Sequence, residues 1–218
     1  MAWMMRDVLP ASIVCSAVLA WSPAPAAQAP GSDPDRPSGY LERDFAAGGH
    51  VHLDLSAGRY EVVGSPDRRL RIEWSVRRPD QLRSVRARAN ISGADAWVNV
   101  RGPDNSRFRV IVKVPARSDL TVNLSAGEIH VAGVEGNKDI ESYAGEVHID
   151  VGRPQDYRRV HASVWAGEIK ATAFQASKDG LFRSFDWSGR GPYVLSASLW
   201  AGELWLYEGE LPGSRVAR

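Results

Sequence analysis

The chain is organised around a short pattern centred on Ala-Gly-Glu. Residues 123–131 read Asn-Leu-Ser-Ala-Gly-Glu-Ile-His-Val, and 141–149 read Glu-Ser-Tyr-Ala-Gly-Glu-Val-His-Ile. Residues 163–171 read Ser-Val-Trp-Ala-Gly-Glu-Ile-Lys-Ala, and 198–206 read Ser-Leu-Trp-Ala-Gly-Glu-Leu-Trp-Leu. A looser copy, Asp-Leu-Ser-Ala-Gly-Arg-Tyr-Glu-Val, occupies 54–62. Before the glycine, apolar residues alternate, as in Val122, Leu124 and Ala126, which places them on one face of a strand. After it they resume at Ile129 and Val131, an odd step from Ala126. The same shift follows Ala166 and Ala201. A phase change inside a strand needs an extra residue or a corner, and glycine is the residue that marks one.

Gly127, Gly145 and Gly167 are spaced 18 and 22 residues apart, and Gly202 follows 35 residues later. Self-similarity at this period indicates a stacked array, and the unit is too short for a helical hairpin. The expectation is an all-β fold, a single-chain parallel β-solenoid with coils of about 18–22 residues, each pairing with the next. The longer last interval fits one coil with an insertion, or two coils with Trp187-Ser188-Gly189 as a degraded copy. A β-sandwich whose strands reuse a bulge is the alternative.

The N-terminal residues 1–26 read as a secretory signal. Arg6 supplies a basic start, Val8–Trp21 is an apolar run too short to span a bilayer, and Ala24-Pro25-Ala26 is a small-x-small cleavage site. Residues 27–39 have linker composition, 40–211 form one domain, and 212–218 are a tail. The protein is therefore expected to be exported, to the periplasm or the cell surface. Cleavage removes the lone cysteine, Cys15, together with Arg6 and Asp7, one charge of each sign, so the mature chain keeps its net charge of +1. That excludes a disulfide framework and thiolate chemistry. It also argues against nucleic-acid binding, which needs a basic excess. No second apolar run is long enough to cross a membrane.

Residues 43–114 contain short alternating strands separated by Gly64-Ser65-Pro66-Asp67, Pro79-Asp80 and Gly102-Pro103-Asp104-Asn105. The run from Val114 to Ile129, Val-Pro-Ala-Arg-Ser-Asp-Leu-Thr-Val-Asn-Leu-Ser-Ala-Gly-Glu-Ile, followed by repeated Ala-Gly-Glu corners, resembles the bacterial putative-adhesin family. The resemblance covers roughly residues 45–207. It implies a secreted or envelope β-solenoid domain and brings no catalytic or ligand residues with it.

Four groups are candidate sites. Tyr143, Trp165 and Trp200 stand before the Ala-Gly on the side opposite the core-facing set, where earlier copies have Ser56 and Ser125. They predict an exposed aromatic stripe that can stack on sugar rings, unless residues 174–195 fold over it or it only stabilises the sheet. Stacked copies align Glu128, Glu146, Glu168 and Glu203 into an acidic ladder, which fits Ca²⁺ or acid–base work on a glycan. The plainer reading gives each glutamate a backbone partner or solvent. His130 and His148 add imidazoles to Glu128 and Glu146, a donor set suited to a transition metal. Arg69, Arg71, Arg77, Arg86, Arg88, Arg107, Arg109 and Lys113 are expected on outward positions, as a basic face or a solvated edge that resists aggregation.

No nucleophile elbow, phosphate loop or His-Glu-x-x-His is present. The expectation is a non-enzymatic binding or scaffolding protein of the cell envelope, needing no cofactor, whose partner is an envelope glycan or a surface protein. A glycan-active β-helix enzyme using ladder glutamates, and a purely structural envelope protein, are the alternatives.

Overall fold

The structure is a computed structural model describing residues 37–103 and 108–209. The signal expected at 1–26, the linker up to residue 36, the tail at 212–218 and Arg107 lie outside the described residues. Among the described residues thirteen strands are formed. They are β1 (Ser38–Asp44), β2 (His50–Leu55), β3 (Gly58–Ser65), β4 (Arg69–Ser75), β5 (Arg86–Ser92), β6 (Asp95–Arg101) and β7 (Arg109–Pro115). Then come β8 (Asp119–Leu124), β9 (Gly127–Ala132), β10 (Lys138–Asp150), β11 (Tyr157–Ala171), β12 (Ala176–Ser188) and β13 (Tyr193–Tyr207).

The repeats pair as like with like. Gly145 lies beside Gly127 on one flank and Gly202 on the other, and Gly202 lies beside Gly167. Each strand also bends at its glycine, so β10 pairs with β8 before the bend and with β9 after it. The parallel β-solenoid is nevertheless wrong. Coils of a solenoid stack in chain order, whereas here β13 inserts between β10 and β11, and β2 lies between β8 and β6. Four pairings are antiparallel: β1 with β4, β4 with β7, β5 with β6, and β11 with β12. The strands make one mixed sheet curled into a nearly closed barrel, and a sandwich of two separate sheets is not formed either.

The physical reason lies in the 35-residue interval. Its extra residues are not a degraded coil. They form β12, which returns antiparallel along β11, with Trp187 beside Val160. With that flank of β11 occupied, β13 takes the other, and it reaches β10 from there.

The curled sheet encloses one apolar core. Val51, Leu53, Leu55, Val122, Leu124, Ile129, Val131, Ile140, Val147, Leu199 and Leu204 are all buried. At the corners the glycine supplies a backbone that other residues resist. Gly145 has φ +121°, and a Cβ there would lie 1.8 Å from the Gly127 carbonyl oxygen. Gly202 has φ +133°, with the same 1.8 Å clash against Gly145. The core also contains Lys138, 2% exposed. Its Nζ donates to the Tyr157 hydroxyl at 2.7 Å and to the Gly136 carbonyl at 3.3 Å. Burial pushes its pKa down to about 8, against the pull of Asp150 and Asp119.

Two stability measurements follow. Gly145→Ala should cost more than about 3 kcal/mol in urea unfolding, because both the dihedral and a neighbouring backbone oppose it. Gly93→Ala, at φ +61° with nothing within 4 Å, should cost only about 1 kcal/mol. Lys138 binds fewer protons folded than unfolded between pH 8 and 10.5, so stability should rise with pH in that window. Lys138 contributes roughly 2 kcal/mol of rise from pH 8 to 10, opposed near pH 10 by the buried Tyr60, Tyr157 and Tyr207 whose pKa values are raised, and Lys138→Met should remove the rise.

Candidate functional site

The strand register places the residues before each Ala-Gly side by side on the outer face. Tyr143 on β10, Trp200 on β13 and Trp165 on β11 form a row in that order. Trp165 and Trp200 are stacked, with centroids 4.4 Å apart and planes inclined by 3°. Tyr143 continues the stack beyond Trp200 at 6.1 Å, also at 3°. The segment around 174–195 does not cover the row: Tyr143, Trp200 and Trp165 remain 65%, 46% and 40% exposed.

Strand β12 instead extends the row. Phe182, 71% exposed, meets Trp165 edge to face at 5.4 Å. It went unrecognised in the sequence because β12 runs backwards along β11. Asp179, Gly180 and Leu181 oppose Glu168, Gly167 and Ala166, so the corner pattern is written there in reverse. At the other end the aromatic row stops. The next positions across the sheet are Ser125 and Ser56, which leaves the Tyr143 face toward β8 without an aromatic neighbour on that side.

A second row runs parallel, two residues earlier in each strand. It comprises Asn123, Glu141, Ser198, Ser163 and, on antiparallel β12, Ser184. Ser163 and Ser198 share a hydrogen bond of 3.1 Å. Together the rows line an open groove of about 760 Å³ that runs from Asp54 to Phe182 and Arg183. Six strands at about 4.8 Å spacing make it roughly 24 Å long. One wall carries the aromatic row, the floor offers one hydroxyl, amide or carboxylate per strand, and the charged groups are Asp54 and Arg183 at the ends and Glu141 on β10. Asp54 already accepts from Asn99 (2.7 Å) and Arg101 (2.8 Å), and Arg183 donates to the Asp179 carbonyl.

Beyond the glycines, the outer face carries the glutamates. Glu128, Glu146, Glu203 and Glu168 adjoin in that order, with Arg59 beside Glu128. Each has a side-chain partner. Arg59 reaches Glu128 at 2.6 Å, and Lys170 bridges Glu168 (2.9 Å) and Glu203 (3.2 Å). The Trp205 indole donates to Glu203 at 3.0 Å, and this bond, with Lys170, holds the Glu203 carboxyl below the ordinary glutamate range. A carboxyl held ionised is a poor general acid.

Of the metal donors read from the sequence, Glu128, Glu146 and His148 come together, with one candidate atom each within 4.8 Å of the others. His130 turns away to hydrogen-bond the Tyr207 hydroxyl, and burial lowers its pKa. The Arg59 guanidinium against Glu128 opposes a cation at this place. Part of the basic face is likewise paired: Arg71 and Lys113 both reach Glu73, at 2.7 and 3.1 Å, and Arg69 reaches Glu42. No helix among the described residues is long and apolar enough to cross a membrane.

No protein-family model matches the sequence, and no curated protein matches it. A solved structure shares the fold, and others match in part. A putative cell adhesion protein from Clostridium sporogenes is 10% identical, with TM-score 0.53, the match covering 79% of this chain and all of that one. A putative adhesin from Parabacteroides merdae is 11% identical over 52% of each chain, with TM-score 0.25. A putative lipid binding protein from Parabacteroides distasonis is 9% identical over 78% of this chain and 97% of that one, with TM-score 0.24. The likeness to putative adhesins read from the Ala-Gly-Glu corners thus agrees with the fold shared with the Clostridium sporogenes cell adhesion protein.

The stacked pair has a spectroscopic consequence. Two indoles stacked this close in parallel planes, turned relative to one another by the twist of the sheet, should give an exciton couplet in circular dichroism. Trp165→Phe and Trp200→Phe should each abolish it, whereas Trp97→Phe, on another strand, should leave it intact.

Proposed function

We propose that this protein is a non-enzymatic binding protein of the cell envelope that holds a linear, largely uncharged glycan in the groove beside the aromatic row. The observation that carries this reading is the exposed row Tyr143–Trp200–Trp165–Phe182 set against a floor of one polar side chain per strand. Exposed aromatic surface of this extent marks a binding face on a soluble domain, and a repeated polar floor favours a ligand with a repeated hydroxyl pattern. Tyr143 is the anchor in this reading. Trp165 and Trp200 cover much of each other's faces, while Tyr143 presents a face toward Ser125 and Asn123 for a sugar ring to stack upon.

The glutamate ladder favours a non-enzymatic reading, since Glu128, Glu168 and Glu203 are engaged by Arg59, Lys170 and Trp205, and Glu146 meets His148. The stripe also lies open, which a purely structural role does not require. Export follows the leader-like character of residues 1–26 and remains part of the proposal.

The test is retention on a panel of envelope polysaccharides, with released reducing ends measured in parallel. Wild type should be retained by a neutral linear polymer without releasing reducing ends. Tyr143→Ala should weaken binding by about thirtyfold, or 2 kcal/mol, and Trp165→Ala by less. Retention that survives the Tyr143→Ala/Trp200→Ala double variant would sink the proposal. Release of reducing ends would replace it with an enzymatic one.

A further inference from the structure

The outer face of β2 and β6 carries a second constellation, in the part of the chain that shows no regular repeat. His50 and His52 lie two residues apart on β2, so both side chains leave the same face. The parallel pairing sets Asp95 beside His50 and Trp97 beside His52. The two imidazoles stack with centroids 4.0 Å apart. His52 Nε2 is 3.6 Å from an Asp95 carboxylate oxygen. One candidate donor atom from each of the three residues lies within 4.8 Å of the other two, and all three residues are part-buried.

We propose that His50, His52 and Asp95 form a binding site for a divalent transition-metal ion, of which Zn²⁺ is the type best matched. Two imidazoles and one carboxylate are a borderline donor set that zinc accepts, and three protein ligands leave a fourth position for water or a ligand atom. Zinc bonds of about 2.1 Å at tetrahedral angles place donors roughly 3.4 Å apart, so small side-chain rotations suffice to close the cluster.

The surroundings support the assignment. The Thr121 hydroxyl lies 2.8 Å from His50 Nε2 and fixes that ring, the kind of outer contact that orients metal-bound histidines. The Trp97 ring stacks on His52 at 5.4 Å and shields one side. Among the described residues Asp95 has no lysine or arginine partner, its ion pair being with His52. The Glu128/Glu146/His148 group differs on this point, because Arg59 sits against it. The site is independent of the glycan reading, although Asp54, at the end of the groove, lies only two residues beyond His52.

Equilibrium dialysis of the full-length protein against ZnCl₂ at neutral pH, with bound metal counted by elemental analysis, tests this directly. One zinc per chain is expected. His52→Ala and Asp95→Asn should each weaken binding at least a hundredfold, and Thr121→Val about tenfold. Glu146→Gln should leave binding unchanged. Melting of every variant in EDTA, matched to wild type in EDTA, separates lost ligation from lost folding. The proposal is overturned if wild type shows no site tighter than about 100 μM. It is equally overturned if folded His52→Ala and Asp95→Asn bind as wild type does, or if Glu146→Gln abolishes binding.

Discussion

Backbone touches backbone at the corner glycines, and the rest of the molecule is arranged around that approach. Gly127, Gly145, Gly202 and Gly167 each pack against the carbonyl of a neighbouring glycine so closely that a Cβ would fall within 1.8 to 2.0 Å of it, Gly58 supplying the carbonyl that Gly127 meets. Only glycine satisfies both the positive φ and the contact. The bend they create changes which residues face inward, so Leu124 and Ile129 share one core although they are an odd step apart in the chain. It also brings two segments of each long strand onto a single curled sheet.

The same corner divides the outer surface by chemistry. Before it stand the aromatics and, two residues earlier, the polar floor. After it stand glutamates tied to Arg59, Lys170 and Trp205. Parallel pairing in strict register turns one residue per copy into a row running across the strands. A single substitution per repeat, tyrosine or tryptophan for serine, is therefore enough to build an extended surface. The serines at 56 and 125 end that surface and leave one face of Tyr143 available.

Much of this was legible in the sequence. The phase change at Ala-Gly-Glu locates the bends, and the alternation locates the core residues on both sides. Strand order was not legible, because a repeat states that like pairs with like and says nothing of which copies are neighbours. The insertion after Gly167 decides that question by covering one flank of β11. Phe182 was hidden because an antiparallel strand spells the corner backwards. The glutamates were expected to meet backbone or solvent, and their side-chain partners were unreadable because Lys170 acts across strands distant in sequence. His50 and His52 carried a visible signal, two histidines on one strand face, but their carboxylate arrives from β6, more than forty residues later.

The account stands on the claim that the outer face before the glycine column, and not the glutamate face after it, meets the ligand. Side-chain NMR during titration with a retained oligosaccharide addresses this most directly, reading the indole N–H signals of Trp165, Trp200 and Trp205 with the ring signals of Tyr143. Shifts at Tyr143, Trp200 and Trp165, with Trp205 unmoved, are the predicted result. Shifts centred on Trp205, which lies beside Glu203 beyond the corner, would contradict it.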